Sequence, residues 1–159
     1  MLCFNSQSCR QKATDIHVLI IDNDADVLLL TETWFYPQGN EAYIDTMTTA
    51  GYYFHSFPRS GSTGGGIAFV TRTNLSEFVT FRPLDYTSFE SVEMSLRVND
   101  AFVSCICLYR PPKSKTNKLL IPHSFVNSQS CYPVMQTVVV MCPFLGTSIF
   151  ISMTVLTLK

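Results

Sequence analysis

The chain has 159 residues, 47% apolar and 13% aromatic, which suits one globular domain with a core and excludes a disordered polar chain. A formal net charge of -1 removes a strongly basic surface as a sign of nucleic-acid binding, although a local basic patch fits inside a neutral total. The six cysteines form no CxxC pair and no Cys/His run with zinc spacing, so they read as free thiols in a reducing compartment rather than as a metal cluster.

The opening MLCFNSQSCRQK lacks the apolar core and small-residue cleavage site of a secretory signal, and reads as a short strand over 2–6. A helix is predicted over 11–23, where Ala13, Ile16, Leu19 and Ile20 recur at helical spacing. Four consecutive apolar residues at 27–30, preceded by Asp24 and Asp26, fit a strand covered on both faces. A polar loop at 36–42 leads to a helical turn or two near 41–50, and the aromatic stretch 52–57 suits a pleated sheet. Gly61, Gly64, Gly65 and Gly66 then mark a turn into the apolar run 67–70, a hairpin. Two further strands are predicted at 90–98 and 101–109, joined by the Asn99-Asp100 turn and ended by Pro111-Pro112. In the second of these, Cys105 and Cys107 fall on one face as small apolar side chains.

Composition changes abruptly near residue 118. Of the 11 Lys and Arg and 12 Asp and Glu, only Lys159 lies beyond that point. Residues 2–118 therefore read as one α/β unit and 119–159 as an uncharged apolar tail. Within the tail, 138–158 is long enough to cross a bilayer if helical, but contains Pro143, Gly146 and several β-branched residues that lower helix propensity. Three readings of the tail stand side by side: an aberrant segment from a frameshift or splicing error, a membrane anchor, and a pair of buried strands.

The chemistry concentrates at strand ends. Leu29-Leu30-Thr31-Glu32-Thr33-Trp34 is a buried strand ending in a carboxylate, where open α/β sheets place ligands. Asn5 ends the first strand and Tyr109 a later one, so three polar side chains from distant positions are expected to converge on one rim. His17, His55 and His123 are assigned structural or exposed roles.

These residues resemble the endonuclease/exonuclease/phosphatase superfamily of DNase I-like enzymes. The matching phrases are Phe4-Asn5-Ser6, the 26–34 strand with Glu32, the Arg59 to Val70 segment with its glycines, Phe89-Glu90-Ser91-Val92-Glu93, and Leu108-Tyr109-Arg110-Pro111-Pro112. LTETW, GGGIAFV and YRPP together resemble the endonucleases of non-LTR retrotransposons of the CR1-like kind. The resemblance covers residues 2–118 and implies an α/β fold, the first half of a DNase I-like sandwich with mixed strands, whose inner sheet face would lack its partner. It implies Glu32 as the carboxylate ligand of a catalytic Mg²⁺, with Asn5 beside the metal or the attacking water. Tyr109 would contact the scissile phosphate and Arg110 would add a second phosphate contact. DNA as partner and the nucleus as location are implied in the same way.

The family's Asp-x-Asn motif and its terminal Asp-His pair have no match in these residues, since the last acidic residue is Asp100. The expectation is therefore a truncated, inactive relative of a Mg²⁺-dependent endonuclease of retrotransposon origin. A non-catalytic nucleic-acid-binding or interaction fragment, and a membrane-anchored protein held through 138–158, are the alternatives.

Overall fold

The computed structural model describes residues 1–61, 64–84, 89–99, 101–109 and 136–141. Its elements run β1 (Leu2–Asn5), α1 (Ala13–Asp22), β2 (Val27–Thr31), α2 (Glu41–Met47), β3 (Tyr52–Phe57), β4 (Ile67–Arg72), a 3₁₀ turn at Thr73–Leu75, β5 (Val79–Leu84), β6 (Glu90–Val98), β7 (Ala101–Tyr109) and β8 (Gln136–Met141). They form two four-stranded sheets, ordered β1-β2-β4-β3 and β5-β6-β7-β8.

In the first sheet β1 and β2 run parallel, with α1 as their crossover, while β4 pairs antiparallel with β2 and with β3. The parallel pair needs a long connection, and α1 supplies it. Ile16 and Ile20, one turn apart, are the buried residues of α1 and press onto Phe4, Leu28 and Leu30. The alternate residues Cys3, Val27 and Leu29 face the other way, toward Val92, Met94, Cys105 and Cys107 of the second sheet. Every residue of β2 is buried because α1 and α2 cover one face and the second sheet covers the other.

The mixed α/β fold expected from the sequence is therefore the fold observed. One expectation is corrected: the inner face of the first sheet does not lack a partner, because β5, β6 and β7 lie across it. The sequence reading missed β5, whose Pro83 and Arg82 break the apolar alternation. An edge strand tolerates proline, and Arg82 forms an ion pair with Glu93 on the neighbouring β6. The helix over 11–23 is shorter than expected by two residues at the start and one at the end, a normal fraying of boundaries.

One strand of the tail, β8, pairs antiparallel with β7 from Ser104↔Met141 to Tyr109↔Gln136. Of the 138–158 segment, residues 142–158 lie outside the described residues. Among the described residues no helix is long and apolar enough to cross a membrane.

Candidate active site

The strand directions bring the polar strand ends to one rim. Asn5 and Thr31 are register partners at the carboxyl ends of the parallel pair, and Thr31 pairs in turn with Ile67 at the start of β4. Glu32 is thereby set next to the glycine turn that precedes Ile67. In the second sheet, Tyr109 at the end of β7 pairs with Glu90 at the start of β6. The two sheets face each other with these ends together.

Asn5, Glu32 and Tyr109 meet there. Asn5 Nδ2 donates to Glu32 Oε1 at 3.2 Å, and the Tyr109 hydroxyl donates to the same oxygen at 2.6 Å. The second bond spans the sandwich. Both bonds fall on Oε1, so a ligand that reaches the carboxylate through Oε2 breaks neither. Asn5 is itself oriented, since its Oδ1 accepts from the Gln7 amide at 3.1 Å. Burial raises the Tyr109 phenol above its ordinary pKa, and its bond to the Glu32 carboxylate raises it further. The phenol accordingly stays a hydrogen-bond donor. Arg110 lies outside the described residues, as does His123.

The backbone around Glu32 is held unusually tightly. Glu32 and Trp34 both occupy the left-handed region, each at φ 55°, which costs a residue other than glycine on the order of 1 kcal/mol. Hydrogen bonds on both sides hold them there. The amides of Ser8 and Cys9 donate to the carbonyls of Glu32 and Thr33 at 2.8 and 3.1 Å. On the other side the amides of Thr33 and Trp34 donate to Gly66 and Gly65 at 3.3 and 2.8 Å. Ser6 Oγ lies 2.9 Å from both the Thr31 and the Glu32 carbonyls.

The sequence reading missed Glu90 and Arg59 as members of this rim. Glu90 Oε2 accepts from the Gly66 amide, while Arg59 Nε lies 3.0 Å from Oε1 as an ion pair without the alignment of a hydrogen bond. Burial pushes the Glu90 carboxyl above its ordinary value; Gly66 and Arg59 oppose that shift, and the charge of Glu32 adds to it. Gly65 and Gly66 are required here for space as well as for φ of 85° and 90°. A Cβ on Gly65 would lie 2.2 Å from Glu90 Oε1, and one on Gly66 would lie 2.5 Å from Thr33 Oγ1. Beside Glu90 opens a cavity of about 300 Å³, lined by Phe57, Arg59, Ser60, Pro83, Phe89 and Ser91 among others. The Phe89-Glu90-Ser91 phrase held the signal, but nothing in its local pattern separates a rim carboxylate from the first residue of an exposed strand.

The histidines lie where structural residues belong. His17 Nε2 contacts the Met47 carbonyl at 3.1 Å, joining the two helices, and His55 contacts Thr71 Oγ1 at 3.0 Å while resting 4.4 Å from the Phe81 ring. Cys3, Cys9, Cys105 and Cys107 are free and buried, and burial pushes the Cys105 thiol up to about 12. None of these is a reactive thiolate.

Among the described residues no group of three or more His, Cys, Asp or Glu side chains could hold a metal ion. The rim does offer a hard oxygen donor set in the Glu32 carboxylate, whose Oε2 takes neither bond, while Asn5 turns its amide nitrogen to Glu32 and its oxygen to the Gln7 amide. That set fits Mg²⁺, which keeps several waters and takes one or two carboxylates together with substrate phosphate.

A family model described as the Endonuclease/Exonuclease/phosphatase family matches residues 2–138. The AP endonuclease LMAP from Leishmania major is similar in structure, with a TM-score of 0.51 and 14% identity over 64% of this chain and 37% of that one. The 3′ phosphatase NExo from Neisseria, solved with a product DNA hairpin, aligns with a TM-score of 0.42 and 19% identity over 64% of this chain and 38% of that one. The chain thus spans under two fifths of the length of each of these structures. No curated protein matches.

Proposed function

The chain belongs to the endonuclease/exonuclease/phosphatase family, and from that premise we propose that it carries one part of a Mg²⁺-dependent phosphodiesterase site acting on DNA, of retrotransposon endonuclease descent, and that residues 1–159 alone do not turn over. The observation that carries this reading is the single carboxylate oxygen, Glu32 Oε1, bonded from both sheets by Asn5 and Tyr109.

Glu32 would hold the cation through Oε2, the oxygen that takes neither the Asn5 nor the Tyr109 bond. When bound, Mg²⁺ supplies positive charge opposite the phosphate as negative charge builds in the transition state. Asn5 fixes the carboxylate from the first sheet and leaves Oε2 available. Tyr109, kept protonated by its surroundings, gives its single O–H to Glu32 Oε1, and would turn that donor to a phosphate oxygen only as a cation takes over the carboxylate. Arg110, outside the described residues, would by resemblance add a phosphate contact. The sequence has no match to the family's Asp-x-Asn motif or Asp-His pair, which orient and activate water. Groups that act as a unit lose most of their effect when one is missing, so the remaining three do not retain a proportional share of the rate. The LTETW, GGGIAFV and YRPP phrases support the retrotransposon descent, and a nuclear location goes with it.

The test is calorimetric titration of Mg²⁺ into residues 1–159, paired with incubation on supercoiled plasmid. Weak Mg²⁺ binding that disappears in Glu32→Ala, without nicking by either protein, is the expected result. Nicking above background that is lost in Glu32→Ala would disprove inactivity while supporting the site. Mg²⁺ binding unchanged by Glu32→Ala would sink the metal assignment.

A further inference from the structure

Beside Glu32 lies a surface whose side chains the rim does not use. Trp34, Tyr36 and Tyr43 are 41%, 44% and 43% exposed, whereas Phe35 between the first two is 1% exposed. Phe35 plugs into the helix-side core and tilts against Phe54 with ring centroids 6.0 Å apart. With Phe35 anchored inward, Trp34 and Tyr36 are left to solvent on either side of it. Two hydrogen bonds close the loop. The Tyr36 amide donates to Asn40 Oδ1 at 3.2 Å, and Asn40 Nδ2 donates back to the Tyr36 carbonyl.

A cation completes the surface. The Arg10 guanidinium lies 4.5 Å from the Tyr36 ring centroid and 5.7 Å from that of Tyr43. Its Nε is buried and has no hydrogen-bond acceptor. The bond from the Cys9 amide to the Thr33 carbonyl runs the Arg10 segment alongside the Trp34 segment. Single exposed aromatics are ordinary on protein surfaces. Three close in the chain, with the Arg10 guanidinium stacked on two of them, Tyr36 and Tyr43, form a platform of flat π faces with one positive charge beside it. Unpaired nucleobases stack on such faces, and a neighbouring phosphate answers the charge. A duplex hides its base faces and presents edges and phosphates instead.

We propose that Trp34, Tyr36 and Tyr43, organised by Arg10, form a stacking platform for unpaired bases of a single nucleic-acid strand, beside the carboxylate that addresses its backbone. This rests on the reading of the Glu32 rim as a phosphodiester site. It also names the form of substrate that site receives, a strand locally unpaired next to the bond addressed.

Trp34 is the sole tryptophan of the chain, so its fluorescence reports on the platform directly. The experiment titrates the full chain, without Mg²⁺, with an oligothymidylate of about twelve nucleotides, within the range of strand-binding site sizes. Quenching of Trp34 that saturates, alongside a rise in anisotropy of the labelled strand, is expected; the matching duplex should leave the indole unquenched. Trp34→Ala and Tyr36→Ala should each weaken strand binding about tenfold, while Trp34→Phe keeps most of the affinity. Arg10→Ala should lower the salt dependence of log K by about one.

Binding seen by anisotropy with unchanged Trp34 fluorescence overturns the platform and leaves the phosphodiester reading standing. Quenching intact in a protein whose Mg²⁺ binding ignores Glu32→Ala sinks that reading and keeps the platform. A fluorescence change that follows protein concentration without any strand marks a contact between copies of the chain, and overturns the proposal. So does a strand affinity equal in the wild type, Trp34→Ala and Tyr36→Ala.

Discussion

The two sheets have the same number of strands and contribute to the rim in opposite ways. In the first, β2 and β4 are buried almost throughout, because helices cover one face and the second sheet covers the other. In the second, inward Val92, Met94, Cys105, Cys107 and Tyr109 are buried, while Glu93, Ser95, Ser104 and Ile106 between them are only half-buried. The first sheet sets Glu32 and Asn5 on adjacent parallel ends by local pairing. The second delivers Tyr109 and Glu90 only by docking across it. The site is therefore a readout of how the sheets meet, and its integrity depends on interlayer packing as much as on any strand.

The largest effects should come from the layer between the sheets. Phe69 is fully buried there, 6.2 Å from Phe57 and 5.1 Å from Phe81 between ring centroids. Phe69→Ala should cost about 4 kcal/mol in urea unfolding, against about 1 kcal/mol for Ile106→Ala on the outer side of the second sheet. Equal costs would break the comparison.

Next comes the glycine turn, which joins both sheets to Glu32. Gly66→Ala should cost about 3 kcal/mol, from its positive φ together with the collision with Thr33. Gly39 has a φ of 79° but nothing within 4 Å of an added Cβ, so Gly39→Ala should cost only about 1 kcal/mol. If both substitutions shift the urea midpoint equally, the space argument at the rim is wrong.

A smaller effect is expected from the bond that spans the sheets. Tyr109→Phe should lower stability by about 1 kcal/mol, since Glu32 keeps Asn5 and gains water in place of the hydroxyl. No loss in thermal or urea unfolding would show that the bond contributes to geometry alone.

The smallest effect depends on pH. The Glu90 carboxyl is pushed up chiefly by burial, so its neutral form is favoured in the fold. The stabilisation linked to it is complete below the ordinary carboxylate value and is lost as pH rises through the raised value. Glu90→Gln lacks that loss and keeps an acceptor for the Gly66 amide. Moving from about pH 4 to about pH 7 should shift the stability difference toward the variant, by less than about 1 kcal/mol at this partly exposed site. A shift in the opposite direction would mean that Arg59 outweighs burial.

Much of the chain was legible before its fold was known. The strands at Tyr52–Phe57, Glu90–Val98 and Ala101–Tyr109 follow the residues predicted for them, because aromatic and β-branched content and the Asn99-Asp100 turn act locally. β5 was not legible: its proline and charges are acceptable only because it lies at a sheet edge, which is a property of the assembly. The cover over the first sheet was misread for a related reason, since strand sequences do not say whether β6 and β7 extend one sheet or begin another.

Sequence alone determined that Asn5 and Tyr109 end strands and that Glu32 stands at the exit of one, because the change from an apolar run to polar residues is written in consecutive positions. Tertiary structure decided that they share an oxygen. It also drew Glu90 and Arg59 onto the same rim and left Trp34, Tyr36 and Tyr43 exposed while burying Phe35. Those outcomes depend on strand direction, sheet docking and the competition for interior space, which act between residues that no local pattern connects.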